Sequence, residues 1–352
     1  MDIKEVLEKF AIDGNIDSVN AFGNGHINKS YKVITDTGEK YLFQSINGYA
    51  FKNVDDLMRN IYIVTSYLKA EGFETLEIVK TKNRKLYFKD DNTFYRVYKY
   101  VRKSITYEKL ESPELVVKAA KAFGQLHRAL EGLDSVLVAE TIKDFHNTPK
   151  RFENLMSAIT EDPCDRLKDT DGLMGFVFTN RPYLRLIQEA LDSGEIPERI
   201  VHNDPKINNV LFDRETNEIR CVIDLDTVMP GSCLYDFGDA LRSIFTGDNE
   251  SNRDTSVMKV DLNIYELYVK GYLESMNGSI TKKEIELMPA SIAVLALELG
   301  IRFLEDYIRG DKYFKITFED ENLVRAQGQF ALAKDVIANL PKLKAITKKY
   351  ID

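Results

Sequence analysis

Cysteine and histidine are scarce in this chain of 352 residues, with three of the first and four of the second. The cysteines (Cys164, Cys221, Cys233) are odd in number and form no paired motif. They read as reduced thiols in a cytoplasm, Cys221 in a predicted core strand, and not as a disulfide framework or a zinc site. With neither HExxH nor CxxC, a dedicated transition-metal site is not expected. Positive charge is in deficit: 48 Lys and Arg face 56 Asp and Glu, a formal net charge of −8. That balance repels polyanions and argues against nucleic-acid or membrane-surface binding, while leaving room for one basic nucleotide pocket. The opening MDIKEVLEKFAID is a charged amphipathic helix without an apolar h-region, so no signal peptide is read there. Long apolar runs are missing too; the longest, ASIAVLALELG, is too short to span a membrane and reads as a buried helix. Internal repeats and low-complexity tracts are absent.

What is present is an ordinary globular composition, 44% hydrophobic and 30% charged, at a length that favours two domains or lobes. Residues 1–101 are strand-rich. Ser18–Phe22, SYKVITD and KYLFQSI alternate as strands, a helix is expected near 53–71, and TLEIVKT, KLYFKD and TFYRVYKYV form three more short strands. The order β-β-β-α-β-β-β describes a small curled antiparallel sheet carrying one helix. From Ser112, an N-cap followed by Pro113, helices dominate: 112–132, then roughly 148–160, 180–193, 237–246, 261–276, 281–300 and 322–338. The expected architecture is α+β, a β-rich lobe at 1–101 and a helical lobe at 102–352 joined by a short hinge at Lys99–Lys103. A ligand cleft is expected between them.

The richest stretch is VHNDPKINNVLFDRETNEIRCVIDL, Val201 to Leu225. VLF and CVI read as strands of a hairpin that would bring Asn209 and Asp224 together, with Asp204 in the loop before it. Two carboxylates and an amide oxygen suit Mg²⁺ and a phosphate-bearing substrate. Phosphoryl transfer to an alcohol needs a group to take the hydroxyl proton, a role Asp204 fits, and metal to neutralise the phosphates, which Asn209 and Asp224 fit. Lys206 is placed to meet the transferring phosphoryl group. The plainer alternatives are turn chemistry for the Asn–Asp residues and a hydrogen-bonded core role for His202.

Two further motifs need sorting. GNGHINKS, residues 23–30, nearly spells a Walker A loop, but Asn28 stands for its second glycine and a strand follows where a helix is required. Strand, glycine loop, strand is the kinase-like arrangement that covers ATP phosphates; a plain hairpin turn is the alternative. Asp236-Phe237-Gly238 spells the protein-kinase DFG but lies 32 residues beyond Asp204 and opens a helix. Asp224 is the better metal ligand, and Asp236 reads as a helix cap or a brace for the catalytic loop. Asp226 reads as either a supporting carboxylate or a solvated turn residue.

HNDPKINN followed by CVIDLDTVMPGSCLYDFGDALR resembles the aminoglycoside phosphotransferase and choline kinase group, over nearly the whole chain. GNGHIN, LFQSIN, DFHNTPKRF and LELGIRFLEDYIRGDKYFK look closest to its N-acetylhexosamine 1-kinase branch, which phosphorylates the anomeric hydroxyl of N-acetylglucosamine or N-acetylgalactosamine. The resemblance implies a protein-kinase-like bilobal fold, ATP and Mg²⁺ as cofactors, and a small-molecule sugar as acceptor. By residue, it implies Asp204 as base, Asn209 and Asp224 on magnesium, and Gly23, Asn24, Gly25 and Asn28 in the phosphate loop. It implies that Arg302 and Tyr313 contact the sugar. His26 is a candidate sugar contact from above, and the adenine is expected at the hinge near Tyr98 and Tyr100. For Arg302 an ion pair with Glu298 or Asp306 is the competing reading. One departure stands out: kinase-like folds usually carry a phosphate-binding lysine on the third strand, and here Gln44 aligns with it. Lys29, Lys32 or Lys40 would have to substitute, or metal and backbone would carry the phosphates.

Overall fold

In the computed structural model, residues 2–23, 28–48, 51, 53–110 and 112–351 are described, and the chain divides into two compact units. The first comprises Met1–Thr106, Gly132–Lys143 and Asn209–Pro230; the second comprises Tyr107–Glu131, Asp144–Asn208 and Gly231–Asp352. Two later segments therefore return to the first unit, where a single boundary at residue 101 assigned them to the helical part. The later hairpin returns by strand pairing with a strand just past the expected hinge, and Gly132–Lys143 returns through Asn60, whose side chain donates to the Ala139 carbonyl and accepts from its N–H.

In the first unit α1 (Ile3–Leu7) precedes β1 (Ile16–Ala21), β2 (Lys29–Thr35), β3 (Lys40–Ile46) and α2 (Val54–Ala70); then come β4 (Ile78–Val79), β5 (Phe88–Asp90), β6 (Thr93–Lys99) and β7 (Ser104–Ile105). The antiparallel sheet runs β1-β2-β3-β6-β4, with β5 also on β6. Its alternating residues Val33, Tyr41, Phe43 and Val97 close a core with Val6, Leu7 and Phe10. Asn53 caps α2 through its side chain, and Leu57, Ile61, Val64 and Leu68 are buried at the expected helical spacing. The hairpin of β9 (Val210–Asp213) and β10 (Ile219–Val222) joins β7 in a sheet of its own, β10-β9-β7.

The second unit contains α3 (Pro113–Ala129), α4 (Thr148–Glu161), α5 (Leu173–Thr179), α6 (Arg181–Asp192) and β8 (Arg199–Val201). Beyond the hairpin β11 (Met229–Gly231) closes the last length of the first unit, and α7 (Cys233–Thr246), α8 (Leu262–Met276), α9 (Lys282–Ile308) and α10 (Glu321–Lys348) complete the second. Ser112 caps α3 as expected, accepting from the Leu115 N–H at 3.2 Å. Helix α9 is longer than the 281–300 expected from sequence. By length and composition it would cross a membrane, but 89% of its most apolar window is buried, so it is the axis of this core. It does not stop at Gly300 because that glycine admits the Phe330 ring of α10: an added Cβ would lie 2.4 Å from it. Helix α10 likewise runs through Pro341 to Lys348, past the expected end at 338.

Glu321 anchors the start of α10. Its carboxylate accepts from Thr317 N–H and hydroxyl, from Ser251 Oγ at 2.7 Å and from Arg325 at 2.7 Å. Burial opposes ionisation, but these donors outweigh it and hold the carboxyl at about 2. A lowered folded-state pKa gives stability that is complete above the unfolded value and is lost as pH falls toward the folded one. The thermal midpoint of Glu321→Gln should therefore lie below the parent's by a full margin above pH 4.5, narrowing toward pH 2. Circular dichroism melts across that range test this; a gap that widens with acid would contradict it.

Candidate active site

The hairpin sets up the first unit's contribution. Val210 pairs with Val222, and the Ile223 N–H donates to the Asn209 carbonyl at 2.8 Å, so the backbones at the two ends of the hairpin are tied just where Asn209 and Asp224 stand. Asp224 adopts φ 58°, ψ 54°, a left-handed conformation that costs a non-glycine residue of order 1–3 kcal/mol. A short 3-10 turn, Leu225–Thr227, follows.

Within that turn Asp226 is buried, not solvated. Arg96 of β6 grips it with a two-pronged guanidinium, Nη1 to Oδ1 at 2.5 Å and Nη2 to Oδ2 at 2.9 Å. Burial alone would lower the Arg96 pKa; the Asp226 carboxylate reverses this and raises it. Arg96 Nε donates to Gln44 Oε1 at 2.9 Å, and Gln44 Nε2 donates to Ser30 Oγ at 2.9 Å. The cation beside the usual lysine position is thus Arg96, which the sequence reading passed over in favour of Lys29, Lys32 and Lys40. Lys32 instead sits 4.9 Å over the Tyr100 ring.

Asn28 donates its side-chain amide to Asp226 Oδ2 at 2.7 Å and accepts from the Asn47 N–H at 3.0 Å. Strands β1 and β2 flank residues 22–28, the strand–loop–strand order that a Walker A loop lacks. Gly23 stands at φ 77°, whereas Asn24, Gly25 and His26 lie outside the described residues. Tyr98 is buried on β6 with the Arg96 guanidinium 5.2 Å from its ring centre. Tyr100 is half-buried, edge-on to Phe22 at 5.7 Å, and its N–H donates to the Lys40 carbonyl.

In the second unit Asp204 keeps 29% of its side chain exposed and accepts from Lys206 Nζ at 2.7 Å. Lys206 is therefore paired with the carboxylate rather than standing alone; burial works against its charge, and Asp204 holds its pKa up. His202 is fully buried, edge-on to Phe123, which is the core role and not that of a base. The brace is Asp236. Buried in α7, it accepts from the backbone N–H of His202 and of Asn203, each at 2.7 Å, and from His127 Nε2 at 2.8 Å. His127 Nδ1 in turn meets the Tyr272 hydroxyl at 2.8 Å. Asn203, held at φ 63°, directs the loop into Asp204. Ser232, not Asp236, caps α7, and Gly238 is where α7 meets α9: a Cβ there would lie 2.6 Å from the Ser291 carbonyl.

Arg302 lies on α9 among rings, its guanidinium carbon 5.9 Å from Phe145 and Tyr313 and 5.6 Å from Phe314. The competing ion pair with Glu298 is present but long, at 3.9 Å. Asp306 is committed elsewhere, accepting from the N–H groups of Lys312, Tyr313 and Phe314, and so shapes the loop that presents Tyr313, 73% exposed. Two residues here went unnoticed on sequence. His146 Nδ1 bonds Glu298 at 3.0 Å and its Nε2 lies 3.4 Å from the Asn203 carbonyl, linking the Arg302 helix to the loop that bears Asp204. Burial would lower the His146 pKa; Glu298 overrides it and raises the value. Arg151 donates to the Phe145 carbonyl at 2.9 Å, its Nε is buried without a partner, and burial with the Arg302 charge lowers its pKa. Both residues lie in DFHNTPKRF, where only long-range contacts give them meaning.

A unit built on an antiparallel sheet with helices α1 and α2, and a second, mainly helical unit, define a protein-kinase-like α+β fold. Solved structures share it. An aminoglycoside phosphotransferase from Alicyclobacillus acidocaldarius superposes with a TM-score of 0.68 at 15% identity, covering 99% of this chain and 97% of its own. A microcompartment-associated aminopropanol kinase gives 0.65 at 14%, covering 96% and 97%. Amicoumacin kinase, solved with AMP-PNP, Ca²⁺ and its substrate, gives 0.58 at 14%, covering 99% and 94%. The sequence matches the phosphotransferase enzyme family (APH) over residues 18–261, and the chain belongs to that family.

Proposed function

We propose that this protein is an ATP- and Mg²⁺-dependent small-molecule kinase that phosphorylates the anomeric hydroxyl of an N-acetylhexosamine. The observation that carries the reading is Asp204, partly exposed and paired to Lys206, on a loop that Asp236 fixes by two backbone bonds. Asp204 accepts the acceptor's hydroxyl proton, and the Lys206 ammonium shifts onto the transferring phosphoryl oxygens as that carboxylate is neutralised. The Asn209 amide oxygen and Asp224 carboxylate are hard donors suited to Mg²⁺, which would screen the nucleotide phosphates. We assign Gly23, Asn24, Gly25 and Asn28 to the nucleotide phosphates, Tyr98 and Tyr100 to the adenine, and His26 to the sugar.

The acceptor assignment rests on Arg302 with Tyr313. Arginine forks and a tyrosine hydroxyl suit sugar hydroxyls and an acetamido carbonyl. Arg151 stands near enough to Arg302 for the two charges to repel each other. Incubation with ATP and a panel of N-acetylhexosamines, plain hexoses, choline, ethanolamine and an aminoglycoside, read by ADP release, decides between these classes. Turnover of the amines alone would overturn the sugar assignment. Arg302→Met should raise the acceptor KM about 10–100-fold, the cost of losing charge-assisted hydrogen bonds, and leave the ATP KM within about twofold. Equal rises in both constants would remove Arg302 from the acceptor site.

A further inference from the structure

Gln44 on β3 is the cross-strand partner of Arg96 on β6. A cation is therefore present at the position where kinase-like sheets carry their lysine, displaced by one strand. It differs from that lysine in what it faces. Arg96 is 1% exposed, and its Nε, Nη1 and Nη2 are all engaged, by Gln44 Oε1 and the two Asp226 oxygens. A guanidinium so committed does not turn to a phosphate. Its charge is used on Asp226, and Asp226 is a junction: Oδ2 also receives the Asn28 amide at 2.7 Å, while Asn28 is fixed from behind by the Asn47 N–H. One carboxylate thereby joins β6, the end of the glycine-rich loop and the turn that begins at Asp224. Asp224 sits in a left-handed conformation at the head of that turn, and the Arg96 fork holds the turn two residues further along.

We propose that Arg96, acting through Asp226, is a positioning residue that sets Asp224 and Asn28 for the metal–nucleotide complex, in place of a lysine that touches the phosphates. With Arg96 committed to Asp226 and Gln44 standing at the lysine position, nucleotide binding would lean on the divalent metal that Asp224 holds. The inference rests on the phosphoryl-transfer reading for its metal and nucleotide, but not on the identity of the acceptor.

The test is calorimetric binding of AMP-PNP to the full chain, with Mg²⁺ titrated and with EDTA. The parent should bind at least about a hundredfold more weakly in EDTA. Arg96→Lys, which keeps charge but loses the fork, should raise the Mg²⁺ concentration for half-saturation about 10–100-fold, the usual cost of removing a residue that orients a metal ligand. The matched pair Arg96→Met/Asp226→Leu should do the same while melting within a few degrees of the parent, since a buried ion pair can be exchanged for apolar residues without loss of fold. Should that pair fail to fold, Asn28→Ala, which removes the amide link to Asp226 together with the bond from the Asn47 N–H, should still raise the Mg²⁺ requirement several-fold. Parent-like Mg²⁺ dependence in the folded variants, or equally tight nucleotide binding by the parent in EDTA, overturns the proposal. A parent that binds Mg·AMP-PNP but phosphorylates no alcohol would strike the kinase reading and leave the role of Arg96 standing, because that role is measured by binding.

Discussion

Asp204→Asn should lower turnover by about three orders of magnitude while Mg·ATP and acceptor bind within about twofold of the parent, the range expected for removing a general base. Asparagine matches the shape of aspartate and still accepts a hydrogen bond, so the hydroxyl can be oriented. It cannot take the proton. The loop is held by Asp236 through the backbone of His202 and Asn203, not through the Asp204 side chain, so the substitution should leave the loop in place. Lys206 loses its 2.7 Å partner and is free to interact with the nucleotide phosphates, so nucleotide affinity should hold or rise slightly. Single-turnover rates beside calorimetric nucleotide binding separate these effects. A rate near the parent's would remove Asp204 from the proton-transfer step; a collapse of nucleotide binding would make it a structural residue.

The second large effect is expected at Asp236. Truncation to alanine leaves two backbone N–H groups and His127 Nε2 buried without their acceptor. At about 1–3 kcal/mol for each unsatisfied donor the total is several kcal/mol, a large part of a typical protein's stability. Asp236→Ala should therefore melt well below the parent or fail to accumulate. Asp236→Asn keeps one acceptor oxygen and should fold, with kcat reduced and both KM values little changed, because the loop bearing Asp204 loses its exact aim. An alanine variant with the parent's melting point would contradict the bracing role. The acid side offers a check of sign. Burial would raise the Asp236 pKa, but His127 and the backbone donors pull it below the ordinary 3.8. Its contribution to stability is complete above that value and is lost as pH falls below it.

Local chemistry made much of this fold legible. Asn53 and Ser112 are caps on sequence and in the structure, because a cap is decided within four residues. The β9–β10 hairpin and the strand after the glycine-rich loop were equally local. The errors arose where distant contacts decide. Gly300 looks like a helix end on sequence but is a gap filled by Phe330, and α5 shows too little periodicity over its short length to be seen. In the site, Asp204, Asn209 and Asp224 stand in one stretch of 21 residues and could be found together. Arg96 lies 130 residues from Asp226, His127 lies 109 from Asp236, and His146 lies 152 from Glu298. No spacing rule pairs residues that far apart; only the packed chain does.

The path of the chain has a consequence for how such a protein can be taken apart. The first unit is assembled from three separate lengths of chain, the last being Asn209–Pro230, which carries Asn209 and Asp224. No single cut releases it whole. A fragment ending at residue 106 would keep the larger sheet and lose the hairpin that pairs with β7, so a gene fusion exchanging first units between relatives would need several junctions rather than one. During synthesis the same layout delays completion: the larger sheet leaves the ribosome early, but the β9–β10 hairpin that joins β7 follows only after α3 to α6 have emerged. The second unit is interleaved in the same way, in three lengths of its own, so neither unit can be exchanged with a single junction.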